Sequence, residues 1–186
     1  MAYDKKTFLK DVVILIDTRE QKNQHILREF ERLGVCYRDH KLDYGDYSFQ
    51  IGGRDFSLSC AVERKGSIDE LYGNVTKDRN RIEKEFYAAS SMNTDFTLLV
   101  EGCKSLEEMK QYEVPEWEMS RLNRKEKEIG KICYATVYSW MSGNRYQFHT
   151  VFIENTSESA AKILEIFYWY WHNYKRLIAS RRNRGC

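Results

Sequence analysis

The stretch CAVERKGSID, residues 60–69, decides the fold of this chain. Its apolar first half predicts a strand that enters the interior, and Glu63, Arg64 and Lys65 then follow in a row. Burying such charges is costly unless they are paired or ligated. Ser67 stands three residues before a glutamate, a capping-box pattern that predicts the start of a helix. Charges between a strand end and a helix are where α/β proteins tend to place their chemistry.

The composition limits the class of protein. With 186 residues, 42% hydrophobic residues and a single proline, the sequence predicts one domain, 1–186, with a core of about 11–178 and a basic tail at 179–186. No run of 18 apolar residues occurs and the first residues are polar, so we expect an intracellular protein without membrane association. The five scattered cysteines never form a Cys-x-x-Cys pair, which favours reduced thiols.

The charge of the chain is unevenly distributed, although the net charge is only +2. No acidic residue follows Glu165, whereas basic residues accumulate near the C-terminus: Lys175, Arg176, Arg181, Arg182 and Arg184. Such a tail can bind phosphates. It can equally be the solvated end of a helix that the helix dipole stabilises.

Hydrophobic periodicity and turn residues predict alternating strands and helices. The predicted strands are 11–17, 47–51, 56–65, 95–102 and 146–155, with a hairpin turn at 52–55. The predicted helices are 23–34, 67 to about 90 with a break near 73–74, 105–112, 118–142, and a last helix from an Asn155 cap to about 180. This order predicts an α/β domain with a mixed central sheet flanked by helices.

Four acidic residues fall at predicted strand ends: Asp17, Glu20, Asp46 and Glu63. If the pleats are in register, Asp46 and Glu63 face one another across adjacent strands. Converging carboxylates raise one another's pKa, and a hard divalent cation removes that strain. An all-oxygen site with open water positions suits Mg²⁺ or Mn²⁺.

Lys65 lies two residues after Glu63 and therefore on the same face of the strand. An ammonium beside a metal can orient or help deprotonate water, or stabilise charge on a phosphate. Two acids and a lysine at strand ends thus predict metal-dependent hydrolysis of a phosphodiester.

Each of these residues also has a simpler explanation. Asp46 follows a glycine and is compatible with a turn, and Glu63 to Lys65 with a solvated strand end. Asp69 is compatible with a charge that stabilises the positive end of a helix. Only the joint spacing favours a site.

That spacing resembles the signature of the XPF-type structure-specific nuclease domain, which is Gly-Asp, a variable gap, Glu-Arg-Lys, three residues and Asp. This chain has Gly45-Asp46, sixteen intervening residues, Glu63-Arg64-Lys65 and then Asp69. The segment VILIDTRE, 13–20, is similar to the first strand of the family with its Asp-x-Arg-Glu.

The resemblance implies a restriction-endonuclease-like fold and cleavage of DNA with Mg²⁺ or Mn²⁺. It implies that Asp46, Glu63 and the backbone carbonyl of Arg64 hold the metal and that Lys65 is the catalytic lysine. It further implies supporting roles: Asp17 and Glu20 as additional carboxylates around the metal, Arg19 holding the site together, and Asp69 buttressing Arg64 or Lys65.

The segment after the signature is similar to an Arg-x-Arg-apolar-Glu pattern of small bacterial and phage members. The resemblance implies that Arg79 and Arg81 line the cleft near the phosphates. The alternative is i,i+4 pairing with Glu83 and Glu85 on an exposed helix face. We favour function for Arg79 and leave both readings open for Arg81.

The aromatic run IFYWYWHNY, 166–174, places large rings around a whole helix. Base stacking is one use of such rings. Burial against the sheet and a second subunit is favoured, because interfaces are enriched in Trp and Tyr. The sequence therefore favours a homodimer joined through this helix.

Two other functions compete with an active DNA endonuclease. One is a non-catalytic DNA-binding or scaffold subunit, which would be expected to lack the acids or the lysine that this chain retains. The other is a general resolvase or restriction-like nuclease. Larger family members carry a tandem helix-hairpin-helix module, and no such pattern follows the nuclease signature here. We therefore expect DNA affinity to come from the chain's own surface, a dimer or another protein, in DNA repair, recombination or phage DNA processing.

Overall fold

A mixed sheet lies at the centre of the molecule. The computed structural model describes residues 5–121 and 125–184, except for the side chains of 144 and 182–184, and in this part the sheet has seven strands. They are β1 (Val12–Asp17), β2 (Cys36–His40), β3 (Tyr47–Ile51), β4 (Arg54–Asp55), β5 (Cys60–Lys65), β6 (Asp95–Glu101) and β7 (His149–Ile153). The order is β2-β1-β3-β5-β6-β7, with β4 paired to β3. Strand β3 runs antiparallel to its neighbours, and the remaining pairs are parallel.

Helices cover both faces of this sheet. They are α1 (Lys5–Asp11), α2 (Gln24–Arg32), α3 (Ile68–Thr76), α4 (Arg79–Ser91), α5 (Leu106–Gln111), α6 (Glu116–Arg121), α7 (Ile129–Met141) and α8 (Ser159–Arg184). Helices α1, α2 and α8 bury an apolar cluster with Phe49 of β3 on one face, whereas α3, α4, α5 and α7 bury another with Phe96 of β6 on the opposite face. This confirms the predicted α/β class with its mixed, helix-flanked sheet.

The predicted acids meet at one end of the sheet because of how the strands pair. The Asp17 amide donates to the Asp46 carbonyl over 2.8 Å, and the Asp46 amide donates to the Val62 carbonyl over 2.8 Å. The end of β1, the start of β3 and the end of β5 therefore lie side by side. Strand β6 is parallel to β5 and ends at the same edge with Glu101.

Gly45 determines how the chain enters β3. Its φ of +76° is a conformation that residues with a Cβ atom rarely adopt. A Cβ atom here would lie 3.2 Å from both the Ala61 Cβ and the Val62 carbonyl oxygen. The glycine before Asp46 is thus required by backbone conformation and by close packing on β5.

Two predicted helices differ from the structure. The predicted helix 118–142 is wrong: α6 ends at Arg121, α7 begins at Ile129, and residues 125–128 are not helical, while 122–124 lie outside the described residues. The Lys127 carbonyl accepts a hydrogen bond from the Val114 amide over 3.0 Å, which takes this backbone out of a continuous helix. The helix predicted from 67 is interrupted at 77–78, slightly later than expected.

Several strand boundaries also differ from the prediction. Strand β2 was not predicted, since its side chains are mostly exposed and carry no apolar periodicity. Strand β7 is confined to His149–Ile153. Residues 54–55 pair with β3 as β4, so the turn consists of Gly52 and Gly53.

The last helix is long and leaves the sheet. Asn155 caps a short 3₁₀ turn: its side-chain oxygen accepts from the Ser157 amide over 3.1 Å and its carbonyl accepts from the Glu158 amide over 2.9 Å. Helix α8 follows with 26 residues. Helix α8 starts beside Glu101 at the end of β6, and Asn173 shares a groove with Asp95 at the start of β6. Its C-terminal half therefore points away from the end of the sheet where the acids meet. No helix in the described ranges is both long and apolar enough to cross a membrane.

Candidate active site

A cavity of about 380 Å³ opens at the end of the sheet where the acids meet. Its lining carries five carboxylates and three cationic side chains: Arg19, Glu20, Asp46, Glu63, Lys65, Glu70, Arg81 and Glu85. They come from the segment after β1, the starts of β3 and α3, the end of β5, and α4.

Asp46, Glu63 and Lys65 form the centre of this cavity. Tyr47 pairs with Val62, so one further step of the antiparallel register places Asp46 opposite Glu63, as predicted. The Lys65 ammonium donates to a Glu63 carboxylate oxygen over 2.6 Å, and these residues are only 4% and 3% exposed. Asp46 Oδ2 accepts from the Arg64 amide over 2.7 Å.

The electrostatics of this trio favour a further cation. Burial raises the pKa of Asp46 well above its ordinary value, and the Glu63 carboxylate raises it further. Burial works to lower the pKa of Lys65, but Glu63 and Asp46 outweigh it, so the pKa is raised and the ammonium stays charged. One lysine thus faces two carboxylates in a poorly hydrated place.

These residues fit Mg²⁺ or Mn²⁺. Such cations use one or two carboxylates and keep several waters. Asp46, Glu63 and the Arg64 carbonyl are an all-oxygen donor set of that kind. Within residues 5–121 and 125–184 no three His, Cys, Asp or Glu side chains form a preassembled metal site. The protein donors that would hold the cation are the two carboxylates and the carbonyl.

Arg64 points to the opposite face of β5, as strand alternation requires. Its guanidinium donates to both oxygens of Glu101 over 2.9 and 3.2 Å and to Glu20 over 2.9 Å. Glu101 also accepts from Ser159 over 2.5 Å and lies 3.1 Å from the His25 ring. This buried network holds Glu20 at the cavity wall.

Glu101 is a residue that the sequence analysis missed. Burial works to raise its pKa, but hydrogen bonds from Arg64 and Ser159 outweigh this and lower it. The sequence does contain a signal for Glu101: it ends the apolar run of β6, just as the four acids of the sequence analysis fall at predicted strand ends.

Asp17 occupies a different position from the predicted one near the metal. Its Oδ1 accepts from the Arg19 amide and side chain over 2.9 and 2.6 Å, and its Oδ2 accepts from the Leu42 amide over 2.8 Å. Burial works to raise its pKa, but these bonds outweigh it and lower the pKa. Asp17 therefore fixes the backbone at Leu42 and the position of Arg19, and Arg19 itself lines the cavity.

The first turn of α3 also differs from expectation. Asp69, predicted to buttress Arg64 or Lys65, accepts a hydrogen bond from the Tyr112 hydroxyl over 2.8 Å. The neighbouring Glu70 instead approaches the Lys65 ammonium at 3.9 Å and lines the cavity. The predicted cap is present, since Ser67 Oγ accepts from the Glu70 amide over 3.1 Å.

Helix α4 contributes Arg81 and Glu85 to the cavity, and the two pair over 3.0 Å. Burial raises the pKa of Glu85 and the Glu63 carboxylate adds to this, so Glu85 is another cavity acid that the sequence analysis used only as a partner of Arg81. Arg79 pairs with Glu83 over 2.9 Å, outside the cavity lining. The preference for Arg79 over Arg81 is therefore not supported by the geometry.

The basic tail lies far from the cavity. At about 1.5 Å per residue, Lys175 is roughly 24 Å along α8 from Ser159. Arg176 and Arg181 are exposed and follow it, and the side chain of Arg182 lies outside the described part of the chain. Contacts of these residues with DNA in the same cavity would require DNA that runs along the molecule, or a second copy.

Comparison with protein families gives a match that covers most of the chain. The family model of the ERCC4 domain matches residues 16–166. This chain belongs to the ERCC4 domain family. The matched range of the ERCC4 domain contains the whole signature from Gly45 to Asp69, every cavity residue, and α8 up to Ile166.

Solved structures confirm the fold of this ERCC4 domain. The chain is similar to XPF from Aeropyrum pernix, with 18% identity over 85% of this chain and 61% of that chain and a TM-score of 0.53. It is also similar to XPF from Aeropyrum pernix in complex with DNA, with 17% identity over 85% of this chain and 64% of that chain and a TM-score of 0.56. The chain thus spans less than two thirds of those structures. No curated protein matches the sequence. The ERCC4 domain has the XPF nuclease fold, which is restriction-endonuclease-like, as the signature predicted.

Proposed function

We propose that this chain is a metal-dependent endonuclease that hydrolyses phosphodiester bonds in branched or otherwise structured DNA. The observation that carries the proposal is the convergence of Asp46, Glu63 and Lys65 in one cavity, with Lys65 bonded to Glu63 over 2.6 Å. Membership of the ERCC4 domain family and the similarity to an XPF that was solved with DNA support it. The protein would act inside the cell, on DNA that is repaired, recombined or processed by a phage.

Asp46, Glu63 and the Arg64 carbonyl would hold Mg²⁺ or Mn²⁺, and Glu85 would add a further carboxylate to the same cavity. The bound cation would polarise the phosphate and favour attack by water. Glu20 is tied to Arg64 and would shape the cavity wall from behind these ligands.

Lys65 would stabilise negative charge that develops on the phosphate. Its ammonium lies in the same cavity as both carboxylates, a position that favours electrostatic stabilisation of a bound phosphate. The Glu63 carboxylate fixes the position of its ammonium. Arg19 and Arg81 border the same cavity and would bind flanking phosphates.

We also propose that the protein pairs with a second copy through α8 and the free side of edge strand β7. A groove of about 560 Å³ lies between α8 and strands β6 and β7, and Trp169 and Leu177 in its lining are 52% and 60% exposed. Tyr168, Tyr170, Trp171 and Tyr174 pack against the core, so the core uses more of the aromatic run than predicted. A symmetric partner would cover the remaining apolar side chains and the edge strand.

The proposed activity is tested with end-labelled duplex, single-stranded, flap, fork and four-way DNA in Mg²⁺, in Mn²⁺ and with a chelator. We expect internal cleavage of the substrates that contain a junction, in either metal and not with the chelator. Binding of these DNAs without cleavage of any of them would instead identify a non-catalytic DNA-binding or scaffold subunit. Equal cleavage of every duplex would indicate a general nuclease.

A further inference from the structure

A second concavity lies on the other flank of α4, outside the proposed catalytic cavity. Asn80, Glu83, Lys84, Tyr87 and Tyr146 line this notch, which has a volume of about 350 Å³. Tyr87 is 68% exposed, more than any other large apolar or aromatic side chain in the described part of the chain. Neither the ion network behind β5 nor the proposed chemistry uses these residues.

The two aromatic rings of the notch differ in freedom. Tyr146 packs on Phe86 with ring centroids 5.9 Å apart, and the Arg145 guanidinium lies 5.1 Å from its centroid, so Tyr146 is a fixed wall. Tyr87 lies on α4, and its ring is exposed. An exposed aromatic ring next to basic side chains is how proteins hold single nucleic-acid strands without sequence preference.

The polar groups of the notch suit a nucleotide. The Glu83 carboxylate is already neutralised, because it accepts from Arg79 over 2.9 Å, from Trp140 over 2.9 Å and from Arg145 over 3.1 Å. The exposed Lys84 can pair with a phosphate. The exposed Asn80 has an amide that both donates and accepts, as a base edge requires.

Helix α4 connects this notch to the proposed catalytic cavity. Arg81 lines the cavity, whereas Lys84, three residues later, lines the notch. Residues three apart are neighbours on a helix surface, so a strand that leaves the cavity past Arg81 reaches Lys84 and then Tyr87 by crossing α4. Inside a duplex the bases are paired and stacked on both faces, whereas each base of a single strand can offer a face to Tyr87 without breaking a pair.

We propose that this notch binds one nucleotide of a single-stranded DNA arm, with the base on Tyr87 and the phosphate on Lys84. The proposal rests on the proposed function, since it extends the path of DNA out of the same cavity. It would give this domain a means to prefer DNA in which a duplex meets a single strand.

The test is fluorescence anisotropy in chelator, with a blunt duplex and with the same duplex carrying a single-stranded arm. Tyr87→Ala should bind the armed DNA about five-fold or more weakly than wild type and bind the blunt duplex unchanged. Tyr87→Phe should behave as wild type, because it keeps the ring. Tyr138→Ala is the matched control, since Tyr138 is an exposed tyrosine of α7 outside the notch. One abasic position in the arm should weaken wild-type binding and add nothing to Tyr87→Ala.

Equal binding of the armed DNA by wild type and Tyr87→Ala would contradict the proposed nucleotide site in the notch. An equal loss of affinity for both DNAs would contradict it too. Cleavage by the same protein in Mg²⁺ would then leave the proposed nuclease standing. Tyr87-dependent binding of the arm without any cleavage would contradict the nuclease and support the notch. Absence of binding to either DNA contradicts the notch, and absence of cleavage in Mg²⁺ as well contradicts the nuclease.

Discussion

Lys65 is a buried cation that bonds to Glu63 over 2.6 Å and lies 3.9 Å from the Glu70 carboxylate. Lys65→Ala should lower the rate of DNA cleavage by about 100-fold or more, because it removes a charge that is positioned to stabilise the transition state. Affinity for Mn²⁺ should not fall, because the lysine is not a ligand and its loss leaves Glu63 without its 2.6 Å partner. Single-turnover cleavage and calorimetric titration of Mn²⁺ measure the two effects separately.

Lys65→Arg should restore little of that rate, because a planar guanidinium does not reproduce a compact ammonium. Lys131→Ala, at an exposed lysine of α7, is the control and should cleave as wild type. If Lys65→Ala cleaved as fast as this control, Lys65 would have no role in the chemistry.

Asp17 is a buried carboxylate whose hydrogen bonds stabilise the fold. Asp17→Asn should cost about 1–3 kcal/mol of unfolding free energy at pH 7, since it leaves the buried Leu42 amide and the partly buried Arg19 amide poorly paired. The pKa of Asp17 is lowered in the folded state, so its contribution is present above the unfolded pKa and is lost as the pH falls through the lower folded pKa. Urea unfolding at pH 7 and at about pH 3 should therefore give a smaller difference between the two proteins at the acid pH. A difference that grows in acid would contradict this role.

The residues of the candidate site were predictable where the signature names them, and less so where tertiary contacts decide. Asp46, Glu63 and Lys65 share a cavity because the strand register places them there, which was the condition that the sequence analysis set. Glu85 and Glu101 approach from α4 and β6, and nothing local in the sequence reveals how closely these elements come to β5. Asp17 looked equivalent to the other strand-end acids, because the sequence does not show that the Leu42 amide reaches it.

At the scale of elements, the start of β3 depends on one glycine. Gly45→Ala should destabilise the fold by about 1–3 kcal/mol through its positive φ, and additionally through contacts with Ala61 and the Val62 carbonyl. Gly34→Ala is the matched control, because Gly34 also has a positive φ but a Cβ atom there meets open space. Urea unfolding should show the larger loss for Gly45→Ala, and equal losses would mean that the packing on β5 is unimportant.

Elements with strong apolar runs were the predictable part of the fold. Strands β1, β5 and β6 are buried on both faces; β1 and β6 have the continuous apolar runs typical of such strands, and β5 begins with an apolar run before its charged end. Strand β2 lies at an edge of the sheet and carries exposed charged side chains. It is a strand because it pairs with β1, and its own sequence has no strand pattern. The charged segment before α7 has helix-forming residues. The Val114 amide, however, donates a long-range hydrogen bond to the Lys127 carbonyl, and helix propensity does not predict this contact.

At the scale of the whole molecule, pairing of two copies should bury the groove along α8. We expect a dimer at micromolar concentration, and Trp169→Glu should convert it to a monomer because a charge would enter an apolar contact. Trp117→Glu, at a still more exposed tryptophan on α6, should leave the dimer intact. Multi-angle light scattering decides, and a wild-type monomer that cleaves DNA would contradict the pairing.

The proposed chemistry requires that this ERCC4 domain cleave DNA through the cavity built by Asp46, Glu63 and Lys65. The most direct measurement is the single-turnover rate at which Glu63→Gln cleaves a junction DNA in Mg²⁺, with Glu154→Gln, at an exposed surface glutamate, as the control. Glu63→Gln keeps the size of the side chain and removes the charge that would hold the metal. We predict that it binds the junction as wild type does but shows no cleavage above background, while the control cleaves normally. Cleavage by Glu63→Gln at nearly the wild-type rate would contradict the account.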